Sequence, residues 1–534
     1  MIRDSRQQDQ IILEGGLDFE TPGASLTPGR MIACQNYVLG LNQGYSSMPG
    51  YERHDGRPEP HKRSGDLAID RRNAIQPVPG SGPVRGVHVH NGYLFAIRNT
   101  EDGSAAKLWR AVSNGWQDFT GTNLPLLPNG RAQFVSYNFA ANPFGVMVFV
   151  DGVNKAKLLR FISESQSYLE EITLPGDATP PVAVAANNNI LYLATERGSL
   201  YYSAVGDPRN FDPVGGLAGE IAVGGKVTGL YPLVGGALCI QMQNQISVLY
   251  GSSEADLQKK DLRLHDDKSG AIAFSSLSYN DLYFLGDRGI TSLSATQSFG
   301  SFQSGAFSKG ITPFIQSRKP YFTCAVAALD RNQLRWAFNS PATQLQGSEV
   351  ITATFSGNKL AGFTRQVLGF KATCAASGEM RTGEPAVFMG STDGWVYRMD
   401  VGTSFDGLPI QAYFMTAFAN SRQPGRKKAF KQATINVQSD GPVPIKAKPV
   451  FDFGASDVMA HRVEAIDVIG GATNFDEANW DSFTWSAPHL NEAHVEIRGR
   501  GQNLAMLISS TSADAKPHSI SDILVTYTLG GLRL

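Results

Sequence analysis

Few stretches of this chain gather side chains able to do chemistry together. In VHVH, His88 and His90 fall two apart on an expected strand, so both imidazoles face one way, as the beginnings of a metal face would. No third ligand follows at a recognisable spacing, and the pair reads as part of a half-exposed strand. His265, Asp266 and Asp267 in RLHDDKSG offer donors for a hard cation, but they lack the spacing of a calcium loop and read as a solvated connection. Glycoside hydrolysis needs two carboxylates facing each other across a cleft, and the acidic residues here are scattered over loops. No G-x-S-x-G elbow stands between a strand and a helix, and there is no phosphate loop. The expectation is therefore no enzyme, no catalytic or metal-ligating residue and no cofactor.

The densest charge lies in RQPGRKKAFKQATINV, where Arg422, Arg426, Lys427, Lys428 and Lys431 fall within ten residues at the entry to a strand. Such a run can meet phosphates in a sequence-independent, salt-sensitive way, as a DNA channel would require, or serve as an interface. It can equally be a solvated strand edge whose lysines prevent pairing with other chains. The word STDGWVY, Ser391 to Tyr397, is similar to the aspartate-containing turn of sialidase propellers, a hairpin device remote from catalysis.

The elements that would position these residues follow from composition. The 534 residues include 56 glycines and 28 prolines with only 18% charged residues, the profile of many short strands and turns, so the expected class is all-β. With 47 basic and 48 acidic side chains the net charge is -1, and no global field points to nucleic acid or an anionic membrane. Cys34, Cys239, Cys324 and Cys374 are far apart and read as core thiols of a reducing compartment. The N-terminus lacks a signal-peptide pattern, and no apolar run approaches the ~18 residues of a membrane span. The chain is expected to fold in a cytosol.

One grammar recurs: an apolar strand, a tight turn, a second apolar strand. The turns centre on Gly103, Gly152, Gly198, Asn244, Gly289 and Gly394, with a weaker one at Arg331, giving steps of 49, 46, 46, 45, 42 and 63 residues. A step of about 45 residues is the period of four-stranded propeller blades. The spacing predicts a β-propeller of six or seven blades over residues 77–403. From 404 to 534, strands such as PIQAYFMTAFAN and KKAFKQATINVQ alternate without that grammar and predict a C-terminal β-sandwich. Residues 1–76 read as an extended segment and linker, part of it closing the propeller or pairing with the C-terminal domain. The polar stretch from Arg53 to Gly82 has no period and reads as linker or surface loop.

With a propeller expected, GLDFETPGASLTPGRMIACQNYVLGLNQGYSSMPGYERHDGRP resembles the start of tail nozzle or tail hub proteins of short-tailed bacteriophages, the podovirus packaged-DNA stabilisation family. The matching positions are Gly16, Pro28, Gly29, Asn36, Tyr37, Gly44, Tyr45, Pro49, Gly50 and Tyr51, and SAVGDPRNFDPVG, RKKAFKQATINVQSDG and the last 36 residues look similar too. The long Arg53 to Gly82 stretch and the 63-residue step depart from the pattern. The resemblance implies a structural virion protein of the tail, assembled in the host cytoplasm. It would form a homo-oligomeric ring, usually a hexamer, that meets a head-to-tail adaptor and through it the portal, docks fibres or spikes, and encloses the channel through which viral DNA leaves. Alternatives are a phage-borne polysaccharide depolymerase, or a glycan-binding protein using Trp480 and Trp485. Met31 to Val38 is predicted as one buried strand, aimed by a turn at Pro28 and Gly29, with Cys34 inward.

Overall fold

The computed structural model describes residues 6–23, 25–40, 44–120, 125–139, 144–161, 167–176, 179–214, 218–251, 261–267, 269–294, 307–339, 347–439, 443–454, 464–468, 490–513 and 515–532. Strands dominate them, most gathered in small four-stranded antiparallel sheets of the propeller type. In chain order seven such sheets span 81–118, 133–171, 181–222, 227–266, 277–292, 322–367 and 372–399, and are called sheets 1 to 7. Sheet 5 has three described strands. Sheet 7 takes its fourth from far away: Tyr51–Arg53 pairs antiparallel with Val396–Met399, Tyr51 opposite Met399 and Arg53 opposite Tyr397.

The turn grammar has a physical basis. Gly103, Gly152, Gly198, Gly289 and Gly394 all sit at positive φ between the second and third strands of their sheets, a backbone region in which a Cβ is strained. Arg331 is a different kind of turn. It connects the first and second strands of sheet 6, where Asn332 takes the left-handed conformation. The equivalent second-to-third connection lies between Asn339 and Ser348, which is why the steps around Arg331 come out short and then long.

The first strands of the sheets lie side by side. Ser81–His90 packs against Gln133–Tyr137, that against Pro181–Asn187 and that against Val227–Pro232; Leu277–Ser278 packs against Phe322–Ala328, that against Ala372–Glu379, and that back against Ser81–His90. Sheets 4 and 5 are joined through a shared core of Cys239, Ile246, Leu282 and Phe284. Each sheet therefore buries both faces against neighbours, and the central strands read VMVFV, ILYLAT and LCIQM, buried at every residue.

Two larger sheets complete the described chain. One runs Tyr37–Leu39, Tyr45–Ser47, His518–Leu532, Arg426–Ser439, Leu490–Gly501, with Arg6–Ile12 also paired to His518–Leu532. The other runs Met31–Gln35, Gln411–Thr416, Leu504–Thr511, Val443–Phe451, Glu464–Val468. Ile435, Val437, Ile523 and Val525 of the first share a core with Phe414, Ile445, Met506 and Ile508 of the second, each contributing about 1.5–3 kcal/mol on full burial. The same core continues into Trp336, Ile351, Phe355 and Phe363 of sheet 6.

Two expectations are corrected. Met31 to Val38 is not one strand: it breaks at Asn36, whose φ of 58° sends Met31–Gln35 into one large sheet and Tyr37–Leu39 into the other. The stretch from Arg53 to Gly82 is not all loop. It carries the helix Asp66–Ala74, with no buried residue and hence no amphipathic period to betray it.

The stretch is held by charge. His61 Nδ1 lies 2.9 Å from the buried Glu52 carboxylate, Arg72 reaches both Glu52 (3.6 Å) and Asp406 (3.5 Å), and Arg398 meets Glu59 and Glu384. Burial raises the Asp406 carboxyl above its ordinary value, partly offset by Arg53 and Arg72.

Gly29 has a φ of 98°, and a Cβ there would collide with the Ile12 carbonyl oxygen. Gly103 also has positive φ but open space around it. Gly29→Ala should lower unfolding stability by more than about 2 kcal/mol, and Gly103→Ala by only about 1 kcal/mol. Urea unfolding of the two variants checks this; equal losses would show that the Ile12 contact does not constrain the fold.

Candidate functional site

The positions that carry the phage-tail resemblance meet at the seam between the N-terminal segment, sheets 6 and 7, and the two large sheets. Thr27 to Arg30 form a turn, closed by Arg30 N donating to Thr27 O at 3.3 Å. Pro28 presets its first corner and Gly29 supplies the positive φ of the second. Gly16 (φ 68°) lies against the backbone of Phe363, where Leu17 N donates to Phe363 O at 2.8 Å, and a side chain would not fit. Asn36 spends its whole amide on the seam. Nδ2 donates to Gln411 O at 2.8 Å, and Oδ1 accepts from Val367 N at 2.8 Å.

Tyr37, next along, is buried edge-on against Phe414 with ring centroids 4.9 Å apart. Its hydroxyl lies 2.9 Å from Ser510 Oγ and 2.8 Å from His518 Nε2, and burial holds the phenol well above its ordinary pKa. Tyr45 Oη donates to Gly29 O at 2.6 Å, and Gly44 leaves no room for a Cβ beside Ile520 O. Pro49 lines a cleft with Met48, Ile410, Ser510 and His518. Gly50 N donates to Gly402 O at 2.9 Å. Tyr51 stacks on Phe405 at 4.5 Å and meets Phe370 and Tyr397 edge-on at 5.0 and 5.3 Å. Such aromatic pairs add about 0.5–1.5 kcal/mol each beyond area burial. Every one of these residues positions backbone or fills core.

His88 and His90 do face one way. Both rings converge on Ser136 of sheet 2, His88 Nε2 and His90 Nδ1 each 2.7 Å from its Oγ. The rings stack on Phe134 and Phe161. Desolvation pushes His88 down to about 3, helped by the neighbouring His90, and His90 down to about 4, so both are neutral near pH 7. Ser136 stands 46 residues after His90, one repeat step, so the repeat itself was the signal that could have found it. His265 and Asp266 do not converge. The imidazole contacts Leu293 O at 3.1 Å while Asp266 Oδ1 accepts from Ser269 N. Among the described residues no group of three or more His, Cys, Asp or Glu is placed to hold a metal ion.

In STDGWVY, Ser391 Oγ bonds Asp393 and accepts from Trp395 N at 3.0 Å, tightening the hairpin turn of sheet 7. All four cysteines are buried free thiols, and burial pushes Cys34 up to about 11. Trp480 and Trp485 lie outside the described residues.

The basic run divides. Arg422, Lys427 and Lys431 are exposed and Arg426 is half-buried. Lys428 belongs to the interior: its Nζ donates to Gln423 O and Gln502 O at 2.8 Å and to Arg426 O at 3.3 Å, and burial lowers its pKa. It cannot also face a phosphate. The strand paired alongside carries exposed Glu492, Glu496, Arg498 and Arg500, so this surface is of mixed charge.

No protein-family model matches the chain, and no curated protein matches it. Solved structures similar to it include the computationally designed protein Ika8, at 13% identity over 61% of this chain and 98% of that one, TM-score 0.33. YCF48 bound to a D1 peptide is similar at 13% identity, 61% and 95% coverage and TM-score 0.39. A chain of a mitotic checkpoint complex is similar at 12% identity, 60% and 90% coverage and TM-score 0.37. Among the described residues no helix is long and apolar enough to cross a membrane.

Lys428→Gln should cost about 2 kcal/mol or more, since it strips three partly buried carbonyls of a charged donor, whereas Arg422, Lys427 and Lys431 changed to Gln should each stay within about 0.5 kcal/mol. Chemical denaturation of the variants separates the two roles. His54, His88 and His90 have native values of about 3, 3 and 4, below the unfolded 6.5. Between these limits the unfolded chain binds more protons, so their contribution is complete above pH 6.5 and declines as pH falls, by up to about 1.4 kcal/mol per unit per imidazole. The urea midpoint should drop from pH 7.5 to 5.5 and drop less in His88→Gln; an unchanged midpoint would mean that these rings protonate freely in the native state.

Proposed function

We propose that the chain is a structural subunit of a short-tailed phage virion, a tail nozzle protein whose copies form a ring below the portal and adaptor. In this reading sheets 1 to 7 are the blades of a seven-bladed propeller, closed by Tyr51–Arg53, and the two large sheets are a β-sandwich built from the C-terminal region with strands from the N-terminal segment. The observation that carries the reading is the use made of Gly16, Gly29, Asn36, Tyr37, Gly50 and Tyr51. The residues that resemble the phage family are the ones that stitch the N-terminal segment into the fold. Turn residues and core aromatics in such places are what a scaffold needs, and they offer no reactive group.

A ring of identical subunits, a hexamer in this family, would enclose the DNA channel between copies and meet DNA without sequence preference. The mixed-charge surface around Arg422, Lys427 and Lys431 suits a wall that lets DNA slide, because a continuous basic stripe would grip it. Fibres or spikes would dock on the outer loops, and assembly would take place in the host cytoplasm before the protein enters the virion.

Mass measurement and negative-stain imaging of the purified protein, alone and with the adaptor of its phage, should show closed rings. A protein that stays monomeric and never joins the adaptor would overturn the reading. Sugar release from host capsule or lipopolysaccharide, abolished by a single carboxylate substitution, would replace it with a depolymerase.

A further inference from the structure

Arg131 sits just before the first strand of sheet 2, and its side chain leaves that sheet altogether. Nη2 donates to Thr323 O, at the start of the first strand of sheet 6. The guanidinium carbon lies 3.7 Å from the ring centroid of Phe274, in the lead-in to sheet 5. Cys324 of sheet 6 and Cys374 of sheet 7 are near enough to influence its charge. In a ring ordered 1 to 7, sheets 5 and 6 stand opposite sheet 2, so Arg131 bridges the axis at the end where the first strands begin.

Arg131 itself is half-buried, and several other arginines packed between the sheets are matched in charge or in hydrogen bonds. Arg335 meets Asp400 through two bonds of 2.8 and 2.9 Å, Arg398 meets Glu59 and Glu384, and Arg318 and Arg365 share Glu349. Arg98 gives its donors to three carbonyl oxygens. Arg131 has one hydrogen bond and one aromatic face, its Nε, like those of Arg335 and Arg398, has no partner, and unlike theirs its guanidinium has no carboxylate among the described residues within ion-pair reach. Its neighbour Arg85, whose carbonyl accepts from Ala132 N, also lacks an ion pair and donates Nη2 only to Asn129 Oδ1 at 2.8 Å. A guanidinium stays charged at any working pH, and a charge removed from water without a counter-ion is costly.

The backbone supports the idea that this arrangement is held for a purpose. Phe274 has a φ of 64°, a conformation strained for a bulky side chain. Strain of this kind persists where the surroundings over-determine it, and it gathers at ligand clamps. Here it presents the aromatic ring to the guanidinium.

We propose that the axial mouth formed by Arg131, with Arg85 beside it, binds a small tetrahedral oxyanion of the phosphate or sulfate class. The planar fork of a guanidinium matches such an anion through paired N–H donors, and the ring of Phe274 holds the fork in place. The anion is the counter-charge that the described residues do not supply, and it would lock sheet 2 to sheets 5 and 6 across the ring. The propeller axis is then a closed ligand site and no conduit.

Inorganic phosphate is the probe. Calorimetric titration of the full-length protein, in chloride buffer at constant ionic strength, should show one saturable site per chain, and Arg131→Gln should weaken it at least tenfold. Arg131→Lys keeps the charge but loses the fork, and should bind several-fold more weakly than the native protein with its fold intact by circular dichroism. It carries the test if Arg131→Gln does not fold. Sulfate should compete with phosphate, while acetate at equal ionic strength should not. No saturable phosphate binding by the native protein, or undiminished binding by Arg131→Lys or Arg131→Gln, would overturn the proposal. Ring assembly and oxyanion binding are read separately, so failure of one leaves the other standing.

Discussion

The structure depends on three residues of one short strand. Tyr51, Glu52 and Arg53 pair with Val396–Met399 and complete a sheet whose other three strands lie over 300 residues later in the chain. Without that pairing, sheet 7 would end in a row of open N–H and C=O groups, and only the packing of Val84, Val87 and Leu94 against Ala386 and Phe388 would hold it to sheet 1. The interaction is backed on each side: Tyr51 enters an aromatic cluster, while Glu52 and Arg53 anchor the charged network that holds the helix Asp66–Ala74.

The same segment does this repeatedly. Arg6–Ile12 pairs with the last strand, residue 16 bridges sheet 6, Met31–Gln35 joins one large sheet and Tyr37–Leu39 the other, all before Tyr51 is reached. Few of these strands exceed five residues, and none could persist alone. Their stability comes from partners distant in sequence, so the loop-closure entropy of joining the two ends of the chain is offset by many small pairings at once. Such a seam tolerates substitution poorly where backbones touch, as at Gly16, Gly29 and Gly50.

Charge follows the same logic. Cations meet carboxylates where two sheets or a sheet and a helix must be fixed, as with the buried Arg335 on Asp400 or the half-buried Arg318 and Arg365 on the buried Glu349. Breaking such a pair by removing one partner leaves a buried charge, which is why these contacts define the arrangement even if their net contribution to stability is small. Arg98 and Lys428 meet carbonyl oxygens instead, and Arg131 reaches from sheet 2 to sheet 6 with neither a carboxylate nor a full set of carbonyls.

The strand class and the repeat were legible in the sequence because both rest on local chemistry. Glycines at positive φ mark second-to-third strand turns, and the roughly 45-residue step between them reflects one supersecondary unit burying its neighbour. The importance of Gly16, Gly29, Asn36 and Tyr37 was legible as a pattern, though not what they touch. Tertiary structure alone decided that Lys428 turns inward while Lys427 and Lys431 stay out, that Asn36 breaks a strand between two sheets, and that Arg131 reaches from sheet 2 to sheet 6. Period and turn chemistry are properties of a dozen neighbouring residues; whether a side chain finds a carbonyl, a carboxylate or an aromatic face depends on segments hundreds of residues away, and only the tertiary fold brings them together.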